Sequence, residues 1–290
     1  MVSFSRSYDL QFEATDGDVV QFTQSNDNPG LMIDFVITKS KTKAANKGVI
    51  GITNPSKDTI QTLQKEGIVR LKAGYNDDIA TILVGSKESS VYMDEGGTKR
   101  VELNILEGIT KYTSLQFSRN YGKGTTNVQI ISDLVSHIID NTPSVDSSNF
   151  FLITESIVYS NEQVVFGNAL DQLDKFLSPI GFQYFINKGI LTIIGQNGFI
   201  KDVEVRLTPD NGLIGFPRPV AENNTTATAV PGIQCKSILN YNFDVGRRLR
   251  LDTKDFELKV YIIDTVTFTG NSFESEWVCD IKAFEGDGIF

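Results

Sequence analysis

The sequence predicts a mainly antiparallel β protein with an α+β insertion: two similar small β-barrel domains flanking an α/β module. Three observations carry this expectation. First, Gly67–Gly108 and Gly246–Gly286 read as two copies of one pattern, with their bounding glycines 41 and 40 residues apart. Each copy opens on a short alternating strand: Val69 and Leu71 against Arg70 and Lys72, then Leu249 and Leu251 against Arg248 and Arg250. Each runs on through a longer apolar strand (79–84; 258–268) into a Gly-containing turn. Each closes on a second alternating strand that ends in Glu-Gly, at Glu107-Gly108 and Glu285-Gly286. Second, alternation with period two buries one face and wets the other, as antiparallel sheets and small barrels require. A plain β-meander would give the same alternation; a duplicated β domain also accounts for its recurrence. Third, the period changes to that of helices between the copies, where a different kind of module is expected.

At 290 residues, the chain has room for about two domains with their own cores. Its hydrophobic share of 40% and charged share of 22% are those of an ordinary globular protein. The net charge of −9 is spread evenly, −3 in each of 1–110, 111–205 and 206–290. No segment carries the basic excess that binding a duplex through its phosphates needs, so specific DNA binding is not expected. The N-terminus MVSFSRSYDLQFEATDGD has no apolar core of a signal peptide. The longest apolar runs, LTII and VYII, fall far short of the roughly 20 residues of a membrane helix. Cys235 and Cys279 show no CxxC spacing and read as two reduced, buried thiols of a protein made in the cytosol.

In chain order, DLQF, VVQF, LMIDFVITKSK and VIGIT predict strands over residues 8–53, with NDNPG (26–30) and KAANKG (43–48) as turns. The stretch 54–67 predicts a short helix capped by Asn54, with Pro55 at its first position, Ile60 and Leu63 inward, and Gly67 as its stop. The first β domain therefore spans 1–110. The middle module, 111–205, opens with a helix capped by Thr126 whose apolar stripe is Val128, Ile131, Leu134, Val135, Ile138 and Ile139. A strand IVYS follows, then a second helix with Leu170, Leu173, Phe176 and Leu177 on one side. A hairpin turning at Asn187-Lys188-Gly189 completes the module. The second β domain spans 206–290 and includes a polar Thr- and Asn-rich loop near 221–229, expected to be mobile or to order against a partner.

No enzyme emerges from the residues. The single histidine, His137, lies in a helix with no partner at dyad spacing and reads as structural. Histidine-pair metal sites are excluded by that count, whereas an all-oxygen calcium site stays open. The turn acids NDD (76–78) and DEGG (94–97) read as solvated. NYGKGTT (120–126) lacks the GxxxxGK[ST] order and reads as the approach to a capped helix. The alternation around Arg248 and Arg250 places both on one wet face, solvated or in contact with another subunit. No catalytic, cofactor-binding or metal-ligating residue is assigned, and no cofactor is expected.

The segment LMIDFVITKSKTKAANKGVIGITNPSKDTIQTLQKEGIVRLKAGY resembles the central baseplate hub proteins of phage tails. The likeness continues through GLIGFPRPV, GIQCKSILNYNFDVGRRLRLD and the late EWVCDIKAFEGDG, in the order those hubs show. It spans nearly the whole chain, and its order is more specific than any one motif. The resemblance implies a non-enzymatic homotrimer in the virion tail baseplate, synthesised in the host cytoplasm, in which six barrels form a pseudo-sixfold ring. Such a ring joins a hexameric tail tube or distal tail protein to a threefold central spike, with other baseplate proteins around it. Genomic DNA would pass through its channel without specific binding. The chain is short for that group, which leaves the tail type open, and its end directly after the second barrel implies a spike on a separate protein. Two alternatives remain: a tail-associated cell-wall hydrolase, and the hub or spike of a related contractile injection system such as type VI secretion, whose spikes share the hub fold.

Overall fold

The structure, a computed structural model, describes residues 5–108, 115–150, 156–195, 198–200, 204–222, 230–253, 256–274 and 276–286. The first part comprises strands β1 (Arg6–Ala14), β2 (Val19–Gln24), β3 (Ile33–Ser40) and β4 (Asn46–Thr53) and helix α1 (Lys57–Gln64). Strands β5 (Gly67–Tyr75), β6 (Asp78–Glu95) and β7 (Thr98–Glu107) complete it. The middle holds β8 (Gln116–Tyr121), α2 (Asn127–Asn141), β9 (Ser147–Phe150), β10 (Gln163–Asn168), α3 (Ala169–Leu177), β11 (Phe182–Asn187) and β12 (Ile190–Gly195). The last part is β13 (Glu204–Leu207), β14 (Leu213–Glu222), β15 (Val230–Ile238), β16 (Arg248–Thr253), β17 (Phe256–Asn271) and β18 (Trp277–Glu285).

The expected mainly antiparallel class with an α/β insertion is what the chain adopts, and the repeat is visible in the strand order. The first part pairs in the order β3-β4-β7-β6-β5-β1, and the last in the order β14-β15-β18-β17-β16-β13. The two differ at the end, where β1 joins β5 antiparallel and β13 joins β16 parallel. Both arrays belong to one 13-stranded sheet, and among the described residues no closed barrel forms. The joint is β17. Its first half pairs with β16, and beyond a bulge at Asp264 its second half pairs with β3, from Thr265↔Ser40 to Asn271↔Asp34. One apolar core consequently runs through both arrays, from Leu10, Phe12, Phe35 and Leu83 to Phe268, Trp277 and Ile281. Alternation explains it, since the buried members of β3 (Ile33, Phe35, Ile37) and of β18 (Trp277, Cys279, Ile281) are each two residues apart.

Some local expectations are corrected. The apolar runs 79–84 and 258–268 lie within much longer strands, because the polar stretch after Val84 remains paired with β7 out to the Gly96-Gly97 turn. The cap of α1 is Ser56, whose Oγ accepts from the Thr59 N–H; Asn54 sits at φ 54° and its Oδ1 accepts from the Lys99 N–H. The helix stops at Lys65, and Gly67 begins β5. Ile60 and Leu63 do face inward. KAANKG is only partly a turn, since β4 starts at Asn46. In α2 the Thr126 cap is a full capping box with Gln129, but Val128 is exposed and Ile130 takes its place inside. IVYS contributes one isolated bridge, Thr126↔Val158. Of the polar loop, 221–222 belong to β14, and 223–229 lie outside the described residues.

The middle module has its own core, in which α2 and α3 pack on Tyr184, Leu191 and Ile193 of the β11–β12 hairpin. That hairpin turns at Lys188-Gly189, both at positive φ as a type I′ turn requires. Its opposite face adds Phe185 and Ile194 to the large core. The module is thus fixed by a hairpin whose two faces serve different cores.

Two glycines admit close crossings at the joint. Arg100 of β7 passes over Gly51 of β4 to bond both carboxylate oxygens of Asp34 on β3, at 2.5 and 2.8 Å, and a Cβ on Gly51 would lie 2.2 Å from its Nη2. A Cβ on Gly270 of β17 would lie 2.3 Å from the Phe35 ring. Gly270→Ala is therefore expected to destabilise the fold by about 1–3 kcal/mol through overpacking. Urea unfolding should show a lower midpoint with an unchanged slope.

Candidate functional site

The chain's least ordinary chemistry is a buried ionic network where the two arrays and the middle hairpin meet. Lys39 of β3 and Glu107 of β7 are fully buried, with Nζ 3.5 Å from Oε2. Lys39 Nζ also donates to Asn187 Oδ1 at 2.5 Å, and Asn187 Nδ2 donates to Asp244 Oδ1 at 2.5 Å. Asp244 is paired in turn with Lys188 Nζ at 2.9 Å. Glu107 accepts from Asn46 Nδ2 at 2.7 Å and from the backbone N–H groups of Lys188 and Val84, at 2.5 and 3.3 Å. Lys188 Nζ reaches the Tyr241 carbonyl at 3.1 Å. Two cations and two anions thus balance with their hydrogen bonds supplied, the condition under which buried charge is tolerated.

Local sequence explains the placement. The tight hairpin turn presents Asn187 and Lys188 side by side at its tip. Lys39, which ends an otherwise apolar inward row on β3, projects toward that tip. Asp244 lies in the link between β15 and β16, where it also accepts from the Val245 N–H at 3.1 Å. Burial pulls the Lys39 ammonium below the ordinary lysine value, against the opposing attraction of Glu107 and Asp244. Burial alone would raise the Asp244 carboxyl, but Lys188 and Lys39 outweigh it, and its pKa lies below the ordinary aspartate value. Every member is held by another, so the network has the construction of a structural clamp. Alternation places Lys39 and Glu107 at inward positions of apolar strands, and it gives no sign of Asn187, Lys188 or Asp244.

The residues singled out by sequence do not converge. His137 is half-buried on α2, 3.3 Å from Asn141 Nδ2 through Nδ1 and edge-on to the Phe117 ring. Cys235 and Cys279 are free and buried on adjacent strands, where Cys235 pairs with Ile281 and Cys279 with Ser237. Burial pushes both thiols up to about 12. Asp77 is exposed in its turn and Asp94 is exposed near the end of β6, opposite Lys99, while Asp78 accepts from the Tyr241 hydroxyl at 2.6 Å. The residues before Thr126 form the expected approach to α2. Arg248 and Arg250 share the half-wet face of β16 with ion pairs to Glu204, over buried Leu249 and Leu251. Among the described residues no group of three or more His, Cys, Asp or Glu side chains is arranged to hold a metal. No described helix is long and apolar enough to cross a membrane.

The surface feature that stands out is unpaired strand. Among the described residues β14 pairs only with β15, and the far half of β6 only with β7. Ile214 and Phe216 on β14 are 40% and 86% exposed, and Val91 and Tyr92 on β6 are 46% and 41% exposed. An open strand edge presents unpaired N–H and C=O groups to which a further strand can pair.

Solved structures with a similar fold include two tail proteins and a component of the type VI secretion system. The tail protein of Neisseria meningitidis MC58 matches with a TM-score of 0.64 at 9% identity, over 97% of each chain. The 43 kDa tail protein of prophage MuSo2 from Shewanella oneidensis matches at 0.64 and 9%, over 97% of this chain and 98% of that one. The E. coli c3393 protein is a component of the type VI secretion system with structural similarity to the T4 tail proteins gp27 and gp5. It matches at 0.62 and 14%, over 89% of this chain and 74% of that one. The sequence matches no family model and no curated protein. At these identities the likeness is one of fold.

Two measurements bear on the clamp and the thiols. Asp244→Asn should cost about 3–5 kcal/mol at neutral pH, because Lys188 and Lys39 lose a buried counter-charge. A carboxyl depressed on folding stabilises above its unfolded value, ordinarily about 3.9, and loses that contribution as pH falls through the folded value. The gap between wild type and Asp244→Asn should therefore narrow below about pH 4 in urea titrations. Cys235 and Cys279 should resist an aromatic disulfide reagent at pH 8 in the folded protein, and both should react in denaturant.

Proposed function

We propose that the chain is a structural, non-enzymatic component of a phage tail baseplate: a homotrimeric hub that joins a hexameric tube to a threefold central spike. The observation that carries this reading is the repeated strand order of the two arrays, β3-β4-β7-β6-β5-β1 and β14-β15-β18-β17-β16-β13. Three chains with two like units each present six near-equivalent lobes toward a hexamer and three identical chains toward a trimer. In this reading 1–110 and 206–290 are the ring domains, and 111–205 stands outside the ring. The likeness of fold to the Neisseria and Shewanella tail proteins supports it. The even acidic charge suits a conduit that DNA crosses without adhering. The clustered charges at the domain junction are spoken for by one another, which favours assembly over chemistry.

A second reading, the hub of a related injection machine, draws on the likeness to c3393 and to the Francisella PdpA–VgrG complex, matched with a TM-score of 0.59 at 8% identity. This chain spans 53% of the length of that last match.

The expected species, in solution or in the particle, has three times the 32.1 kDa mass, about 96 kDa. Light scattering on purified protein and threefold averaging of particle images read it. A monomer in both settings would end the proposal.

A further inference from the structure

The repeat makes a specific demand on the two open strand edges, one that rests on the trimer reading above. When the two arrays are superimposed by strand order, β14 is the counterpart of β3, and β6 that of β17. The long strands agree in detail. In each, one unmatched residue interrupts the ladder, Glu88 in β6 and Asp264 in β17, and seven residues follow, Ser89–Glu95 and Thr265–Asn271. From that bulge onward β17 is flanked by β18 and by β3. The matching half of β6 is flanked by β7, while no described strand pairs on its other side, because β5 stops pairing at Ser86. β3 has β4 and β17 for neighbours, and among the described residues β14 has β15 alone. One junction is made within the chain, and both halves of a like junction stand unmade.

We infer that β14 of one chain pairs antiparallel with Ser89–Glu95 of β6 in the next copy, repeating between chains the junction that β3 and β17 make within one. Three such contacts alternate with three internal ones and close a ring of six. Transferring the internal register places Val91 opposite Val220 and Tyr92 opposite Pro219, as Thr267 lies opposite Thr38 and Phe268 opposite Ile37. The exposures fit a missing neighbour. Phe268 and Ile37 are fully buried, whereas Tyr92 is 41% exposed, and Pro219 lies on a strand exposed along most of its length.

Hydrogen-bond direction gives an independent check. The two-residue turn Gly96-Gly97 makes Glu95 and Thr98 the first bonded pair of the β6–β7 hairpin, so by alternation Tyr92 turns its N–H and C=O away from β7. On β14, Pro219 has no N–H, so its pairing with Ile233 is of the unbonded kind, and its carbonyl points to the open edge, as does the backbone of Ala221. The outward-turned positions of the two strands therefore meet under the transferred register. Pro217 and Pro219 remove donors from this edge. The contact between chains is accordingly leaner than the internal one, and stray pairing of the free chain is discouraged.

The test uses the full chain. Val91 and Val220 fall at an unbonded pair, with expected Cα separation of about 4.5 Å, within disulfide reach. In Val91→Cys/Val220→Cys, mild oxidation should yield covalent dimers and trimers at least about tenfold faster than in the mismatched Val91→Cys/Leu213→Cys. Thr38→Cys/Thr267→Cys, at the equivalent internal positions, should close within one chain and serves as the control for geometry and folding. Native mass is read on the same samples. A trimer whose Val91/Val220 pair links no faster than the mismatched pair would overturn this junction and leave the hub reading standing. A chain that stays monomeric in solution and in particles, without linking, would overturn both.

Discussion

Everything in this fold depends on one strand having two partners on the same side. β17 spends its first half against β16 and its second against β3, and the change occurs at the Asp264 bulge. A bulge inserts a residue, bends the strand and increases its twist, which lets the sheet turn from one array into the next. Without it, two β units would sit side by side with two separate cores. With it, Phe35 and Trp277 pack edge to face at 5.2 Å, and one continuous interior runs through both arrays. Rigidity between the arrays is therefore that of a sheet rather than of a linker.

The buried charges complete what the sheet begins. The hairpin of the middle module carries apolar side chains into both cores, but apolar packing alone tolerates sliding. The Lys39–Asn187–Asp244–Lys188 chain of contacts, together with Glu107, fixes the tip against three separate stretches of backbone. Buried ion pairs contribute little net stability, because desolvation offsets attraction. Their value here lies in geometry, since the observed placement of the hairpin gives each buried charge a partner.

Alternation made much of this legible in the sequence. Leu249 and Leu251 against Arg248 and Arg250, or Val101, Leu103 and Ile105 on β7, announce a half-buried strand because side chains on a pleat must alternate. The Thr126 cap and the Lys188-Gly189 turn were legible because each rests on local backbone chemistry. What stayed hidden was non-local. Nothing in the composition of Thr265–Asn271 says that its neighbour is β3 rather than β16. Asn54 looked like a cap because Asn caps helices well, yet a bond to the Lys99 backbone across the sheet claimed it. Val128 lost its expected place to Ile130 through a shift in which face of α2 is covered, a matter decided by α3 and the hairpin. The clamp was the least legible of all, because its members come from five separate segments and carry no shared spacing.

The pairing of β3 with β17 also sets a timetable for biosynthesis. Thr38 and Thr267, whose hydroxyls lie 3.3 Å apart, are separated by 229 residues. At translation rates of about 5–20 residues per second, β3 emerges about 10–45 s before the strand that covers it. During that interval the growing polypeptide carries a bare edge with Val36 beside it, an attractive place for any other nascent strand to settle. A ribosome-associated chaperone would have its strongest claim on this segment in that window, and a nonsense truncation anywhere before β17 would leave the edge open for good.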